Sequence, residues 1–196
     1  MSTQPRFVHL RTHTDFSMID SIVKIKPLVK ACAENNMVAM ALTDFTNFCG
    51  VVRFYSETLA SGIKPIIGAD VKVKSVLCGD ELFDLTLLAK NNDGYKNITL
   101  LLSKAYQRGY VDLPYIDQEW LIEHREGVII LSGGTQGDVG KKLLKENVAE
   151  IESAVSFYQE FFADHFYLSL ARTGKPNEER YIQAALKLAK EKKLPV

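Results

Sequence analysis

Short, continuously apolar runs alternate along the chain with longer segments whose apolar residues recur at helical spacing. Val38 to Thr43 is the clearest run, apolar at successive positions, and predicts a strand buried on both faces. Further strands are expected at Phe7–Leu10, Pro65–Asp70 (continuing through Val71 and Val73), Leu82–Leu88, Val128–Leu131 and Phe166–Leu170. Helices are expected at about Lys26–Asn35, with Pro27 in the first turn, and at about Cys49–Ala60, with Gly62 placed as the residue after the cap. Others cover about Tyr95–Gln107, Gln118–His124, Gly137–Leu144, Val148–Phe162 and Asn177–Lys192. In the last of these, Tyr181, Ile182, Ala185, Leu186 and Ala189 share one face. Gly109–Asp117 reads as irregular.

Repeated strand–helix alternation with continuous apolar strands predicts a parallel sheet with helical crossovers. Six strands, and a pattern that stops at Leu194-Pro195-Val196 where a seventh should begin, suit a barrel-like α/β fold. An open doubly wound sheet is the alternative. Neither a linker nor a repeat divides the chain, so residues 1–196 are expected to form one domain, cut from a longer polypeptide.

Composition narrows the function classes. The 24 Lys and Arg balance 24 Asp and Glu, which argues against a free-standing nucleic-acid binder and against a polybasic membrane-surface protein. With 46% hydrophobic and 24% charged residues the chain is of the folded, soluble kind. Cys32, Cys49 and Cys78 form no CxxC pair, so neither a zinc knuckle nor a redox dithiol is supported, and a reducing cytoplasm is expected. No signal-peptide run follows Met1, and the apolar runs are too short to cross a bilayer.

Chemistry in parallel α/β folds gathers at the carboxyl ends of strands. That rule selects Arg11, His13, Ser17 and Asp20 after the first strand, Asp44 after the second, Asp70 after the third and Arg172 after the sixth, with Asp84 nearer the start of the fourth. His13, Asp20, Asp44 and Asp70 together would suit Mg, Mn or Zn. The plainer alternative is that these Asp residues cap the helices that follow them and the histidine is hydrogen-bonded in a strand-end turn. Gly133, Gly134, Gly137 and Gly140 fit neither phosphate-loop frame and read as a strand-to-helix turn. Tyr106, Arg108 and Tyr110 are either an aromatic–basic patch or a loop anchored by its rings.

The stretch Val8-His9-Leu10-Arg11-Thr12-His13-Thr14-Asp15-Phe16-Ser17-Met18-Ile19-Asp20 resembles the first motif of the polymerase and histidinol phosphatase (PHP) family. The form is the one carried at the N-terminus of bacterial replicative polymerase α subunits. Ala41 to Gly50, Ile63 to Asp70, Leu87 to Asn97, Ser103 to Tyr110 and Leu131 to Gly134 continue the resemblance, so it runs from about Phe7 to Val196. It implies a distorted (β/α)7 barrel, here cut near its seventh strand, and an N-terminal fragment of a long polymerase chain.

Departures from the family pattern carry as much as the agreements. The metal-binding H-x-H pair corresponds to Arg11 and His13, T-D-H to Thr43-Asp44-Phe45, a Glu to Asp70, a fourth-strand His to Asp84 and a Cys to Gly134. Only His13 and Asp20 match as ligands. A guanidinium at Arg11 would repel a cation and pair with Asp20, Asp70 or Asp84. The resemblance therefore implies a vestigial site, with no metal expected, or with Zn or Mn on His13, Asp20 and Asp70 if any binds. It implies a non-catalytic module that docks the ε proofreading subunit and the rest of the α subunit, without gripping DNA itself. The parent chain would be an Mg-dependent DNA-directed DNA polymerase. The competing reading is a metal-dependent phosphoesterase or 3′–5′ exonuclease retained at the same residues.

Overall fold

Met40, Ala41 and Leu42 are almost wholly withdrawn from water, as a run without polar alternation requires, and they form strand β1 (Ala39–Leu42). The computed structural model describes residues 7–75, 81–110 and 112–196. The chain divides into two compact units, Met1–Asp70 and Val71–Val196. The division falls inside one continuous strand, β2 (Lys64–Lys74), so no linker composition marks it.

In the first unit, β1 pairs in parallel with the first part of β2, Ala39 opposite Lys64 and Leu42 opposite Ile67. Helices α1 (Ile25–Glu34) and α2 (Val51–Ala60) pack on each other, and Ile25, Val29, Met40, Leu42, Phe54 and Ile63 share one apolar core. Helix α2 ends as its sequence predicts. Gly62 takes φ +70°, its N–H donates to Leu59 O (3.1 Å), and Ile63 N–H donates to Thr58 O (2.9 Å), closing a Schellman cap. A Cβ at Gly62 would meet nothing within 4 Å, so Gly62→Ala is expected to cost only the backbone strain, about 1 kcal/mol in denaturant unfolding.

The second unit holds the end of β2 with β3 (Leu82–Ala89), β4 (Tyr115–Asp117), β5 (Val128–Leu131) and β6 (Phe166–Tyr167). Its helices are α3 (Asn92–Arg108), α4 (Gln118–Glu123), α5 (Asp138–Lys145), α6 (Val148–Phe162) and α7 (Glu178–Lys192). Phe83, Leu85, Ile98, Leu101, Ile116 and Ile130 are buried in it, and the ring of Tyr158 stacks on Phe166 at 4.1 Å between centroids.

Three expectations need correction. The sheet is mixed, not parallel, because β3 and β5 run antiparallel, Thr86 opposite Leu131 and Ala89 opposite Val128. Only residues 75–81 separate β2 from β3 in the chain, fewer than the helical crossover that a parallel arrangement requires. The first expected strand is reduced to a single parallel bridge, His9 to Met40, with Ala41 N–H donating to His9 O (2.7 Å). Strand β4 arises inside the stretch expected to be irregular, where Lys72–Lys74 pair in parallel with Tyr115–Asp117. Among the described residues no helix is long and apolar enough to cross a membrane. Cys32 is buried and Cys49 exposed, while Cys78 lies outside the described residues.

Candidate functional site: a neutralised carboxylate cluster

The first unit gathers four of the expected residues. Chain 9–12 runs beside β1, with Thr43 N–H donating to Thr12 O (2.9 Å) and Thr12 N–H to Thr43 Oγ1 (2.8 Å), which delivers Arg11 and His13 to the strand end. Asp70 stands opposite Phe45 in a parallel bridge, its carboxylate only 4% exposed. One oxygen of that carboxylate, Oδ2, accepts from Arg11 Nε at 2.5 Å and from His13 Nε2 at 2.7 Å. The other ring nitrogen of His13, Nδ1, meets Asp20 Oδ2.

A carboxylate only accepts, so an imidazole bonded to carboxylates through both nitrogens carries both protons. The surroundings agree. Burial pulls the His13 pKa down, but Asp70 and then Asp20 outweigh it and raise the value above that of a free histidine. Asp20, His13, Asp70 and Arg11 thus form a chain of alternating charge, two negative and two positive. The guanidinium reaches the cluster from the solvent side, with the Arg11 side chain 49% exposed.

Asp44 is adjacent but does another job. It is buried, and it accepts from Thr14 N–H (2.6 Å), Thr14 Oγ1 (2.7 Å) and Ser17 Oγ (2.7 Å). Ser17 Oγ in turn accepts from Phe45 N–H (3.0 Å). The carboxylate is therefore the anchor of the 14–17 turn that precedes it, and not a cap of the helix that follows, since α2 starts from Gly50 with no side-chain cap bond. Phe45 places a half-buried ring where the family pattern has an imidazole.

Thr46 was given no role by sequence reasoning. It is fully buried with φ +50°, a conformation that costs a β-branched residue about 1–3 kcal/mol, and its N–H donates to Asp70 O (2.8 Å). Nothing in the residue type signals this. Met18 is a second left-handed residue, at φ +53° and ψ −114°, interrupting the 3-10 turns of Asp15–Asp20.

Asp84 and Gly134 belong to the second unit. Lys72 Nζ lies 2.5 Å from Asp84 Oδ1, so this carboxylate too has a cation supplied by the chain. A lysine two residues after Asp70 could have suggested it, since alternate residues of a strand share a face. Gly134 has φ +60° and donates its N–H to Ser169 Oγ (3.0 Å). At Gly133, φ is +71° and a Cβ would stand 2.0 Å from Asp84 O, so only glycine fits this turn. Short 3-10 turns at Gly134–Gln136 lead into α5, a strand-to-helix turn as read.

A divalent ion fits these residues poorly. It needs unprotonated donors with free lone pairs, whereas both nitrogens of His13 are engaged and Arg11 and His13 share one oxygen of Asp70. Among the described residues, no group of three or more His, Cys, Asp or Glu side chains is arranged to hold a metal.

Residues 9–173 match the PHP domain model. The chain belongs to the PHP family. Over its full length it is 87% identical to the "DNA polymerase III subunit alpha" of Haemophilus influenzae, and it is 56% identical over 195 residues to that of Escherichia coli. It matches the N-terminal part of those proteins and covers 17% of the length of each. Among solved structures, it resembles a protein described as a metal-dependent phosphoesterase of Bifidobacterium adolescentis, with a TM-score of 0.57 and 13% identity. That match covers 95% of this chain and 84% of the other. An amidohydrolase of Chromobacterium violaceum gives a TM-score of 0.52 at 11% identity, covering 90% and 96% respectively. Both likenesses concern the fold.

Proposed function

We propose that this chain is a non-catalytic scaffold domain of a replicative polymerase α subunit, whose nucleotidyl transfer, with Mg, is carried out by other parts of the polypeptide. The observation that carries the reading is the double occupation of Asp70 Oδ2 by Arg11 and His13, because the anionic corner that would draw a metal is filled by the chain's own cations. The domain works in the cytoplasm, packs against the rest of its subunit, docks the ε proofreading subunit and leaves the gripping of DNA to other regions. No metal cofactor is assigned to it. A pull-down with ε tests the docking role, and absence of binding counts against it.

Calorimetric titration with Zn or Mn tests the neutralised site. The unmodified chain is expected to give no micromolar binding. An Arg11→His, Phe45→His variant is expected to gain at least about tenfold in affinity, since it removes a guanidinium and adds two nitrogen ligands. Micromolar binding by the unmodified chain, with phosphatase activity in Mn, would instead favour a retained phosphoesterase or 3′–5′ exonuclease site.

A further inference from the structure

We propose that segment 15–23 is a pre-formed apolar finger that inserts into the remaining part of the same long polypeptide, and that the Asp20–His13 pair holds it in place. This rests on the scaffold reading and gives the vestigial cluster a present use. Met18 is 80% exposed and Ile22 92% exposed, the two most exposed large apolar side chains among the described residues. A loose loop would turn such side chains inward. This one is held open.

Its tethers are polar and come from both ends. Asp15 N–H donates to Val23 O (2.8 Å), Ser21 N–H to Met18 O (3.2 Å) and Ser21 Oγ to His13 O (3.0 Å). Lys24 pairs with Asp15 at 2.6 Å, Ser17 donates to Asp44, and Asp20 meets His13. Met18 itself is fixed at φ +53°, ψ −114°, a conformation that persists only where the surroundings impose it. Strain and tethering spent on facing apolar side chains outward mark a surface shaped for contact, because ordering the loop beforehand removes that cost from binding.

The occupant is the same polypeptide. The relatives that this chain matches are far longer, and it covers 17% of each. Most of the surface able to cover the finger is therefore joined to it covalently, at an effective concentration on the order of millimolar, which a separate protein or a second copy rarely reaches.

Hydroxyl-radical footprinting of the full-length parent polypeptide, read by mass spectrometry, tests this. Met18 and Ile22 should be oxidised at least tenfold more slowly in the folded chain than in the same chain in urea, at every protein concentration. In the full-length Asp20→Asn variant, Met18 oxidation should rise at least threefold while the rest of the footprint stays unchanged. Rapid oxidation of both residues in the folded parent overturns the proposal, as does protection that appears only at high concentration or on adding another subunit. An unchanged Met18 rate in Asp20→Asn overturns the role given to the Asp20–His13 pair. The two failures are read separately: micromolar metal binding in calorimetry defeats the scaffold reading, whereas rapid oxidation of Met18 and Ile22 in the metal-free folded parent defeats this proposal.

Discussion

Replacing Asp44 with alanine is expected to destabilise the chain by about 3–5 kcal/mol, a large share of the roughly 5–15 kcal/mol that holds a typical domain folded. Thr14 is fully buried, and its N–H and hydroxyl both end on Asp44, as does the Ser17 hydroxyl. Hydrogen bonds to an ionised acceptor are stronger than neutral ones, and an orphaned buried N–H carries its whole desolvation penalty. Withdrawing a buried carboxylate also removes a desolvation cost, which offsets part of the loss. Three satisfied donors outweigh that offset. Thr14→Val and Ser17→Ala should each cost about 1–2 kcal/mol, and their sum with Asp44→Ala should exceed the triple variant, since all remove one network. Urea unfolding measures each value. A loss under about 1 kcal/mol for Asp44→Ala would mean that the turn finds other partners. Chelator should leave the midpoint of the unmodified chain unchanged, which separates an anchoring carboxylate from a metal ligand.

Much of this arrangement is legible in the sequence. Short apolar runs set β1 and β5, and Asp84 and Thr86 alternate with apolar residues in β3; runs of four to eight residues are too short for a helix of ordinary length. Pro27 and Gly62 marked a helix start and a helix end, since each residue's backbone restriction is local. The antiparallel pairing of β3 with β5 was hidden because a strand's residue pattern reads alike in either direction. β4 was hidden because three residues carry too little pattern to show. At the site, the replacements at Arg11 and Phe45 announced a changed chemistry, and Arg11 does pair with one of the carboxylates that sequence reasoning offered it. What the sequence did not reveal is the division of labour among the acids. Asp44 and Asp70 look equivalent as strand-end aspartates, yet one accepts from neutral donors and the other from two cations. Tertiary partners 27 to 59 residues apart make that difference, and no local spacing encodes them.

Asp70→Asn is the second large effect, and it should depend on pH. The substitution leaves the Arg11 guanidinium to rehydrate, as its half-exposure allows, but strips His13 of the partner that does most to keep it charged. A loss of about 2–3 kcal/mol is expected at pH 6, below the value for breaking a fully buried pair because Arg11 faces solvent. In the unmodified chain the His13 pKa lies above its unfolded value near 6.5, so the folded state holds its proton more tightly. That contribution is fully present below the unfolded value and fades as pH rises through the folded one. In Asp70→Asn, burial acts on His13 with only Asp20 opposing it, so the slope should flatten or reverse sign. The stability gap between the two proteins should accordingly be widest near pH 6 and narrow toward pH 9. Urea midpoints at several pH values read this out, and His13→Gln should abolish most of the pH dependence in either background. A gap that stays constant across the range would show that His13 is not the charged partner of Asp70, and the alternating chain Asp20–His13–Asp70–Arg11 would have to be redrawn as a single pair of Arg11 with Asp70.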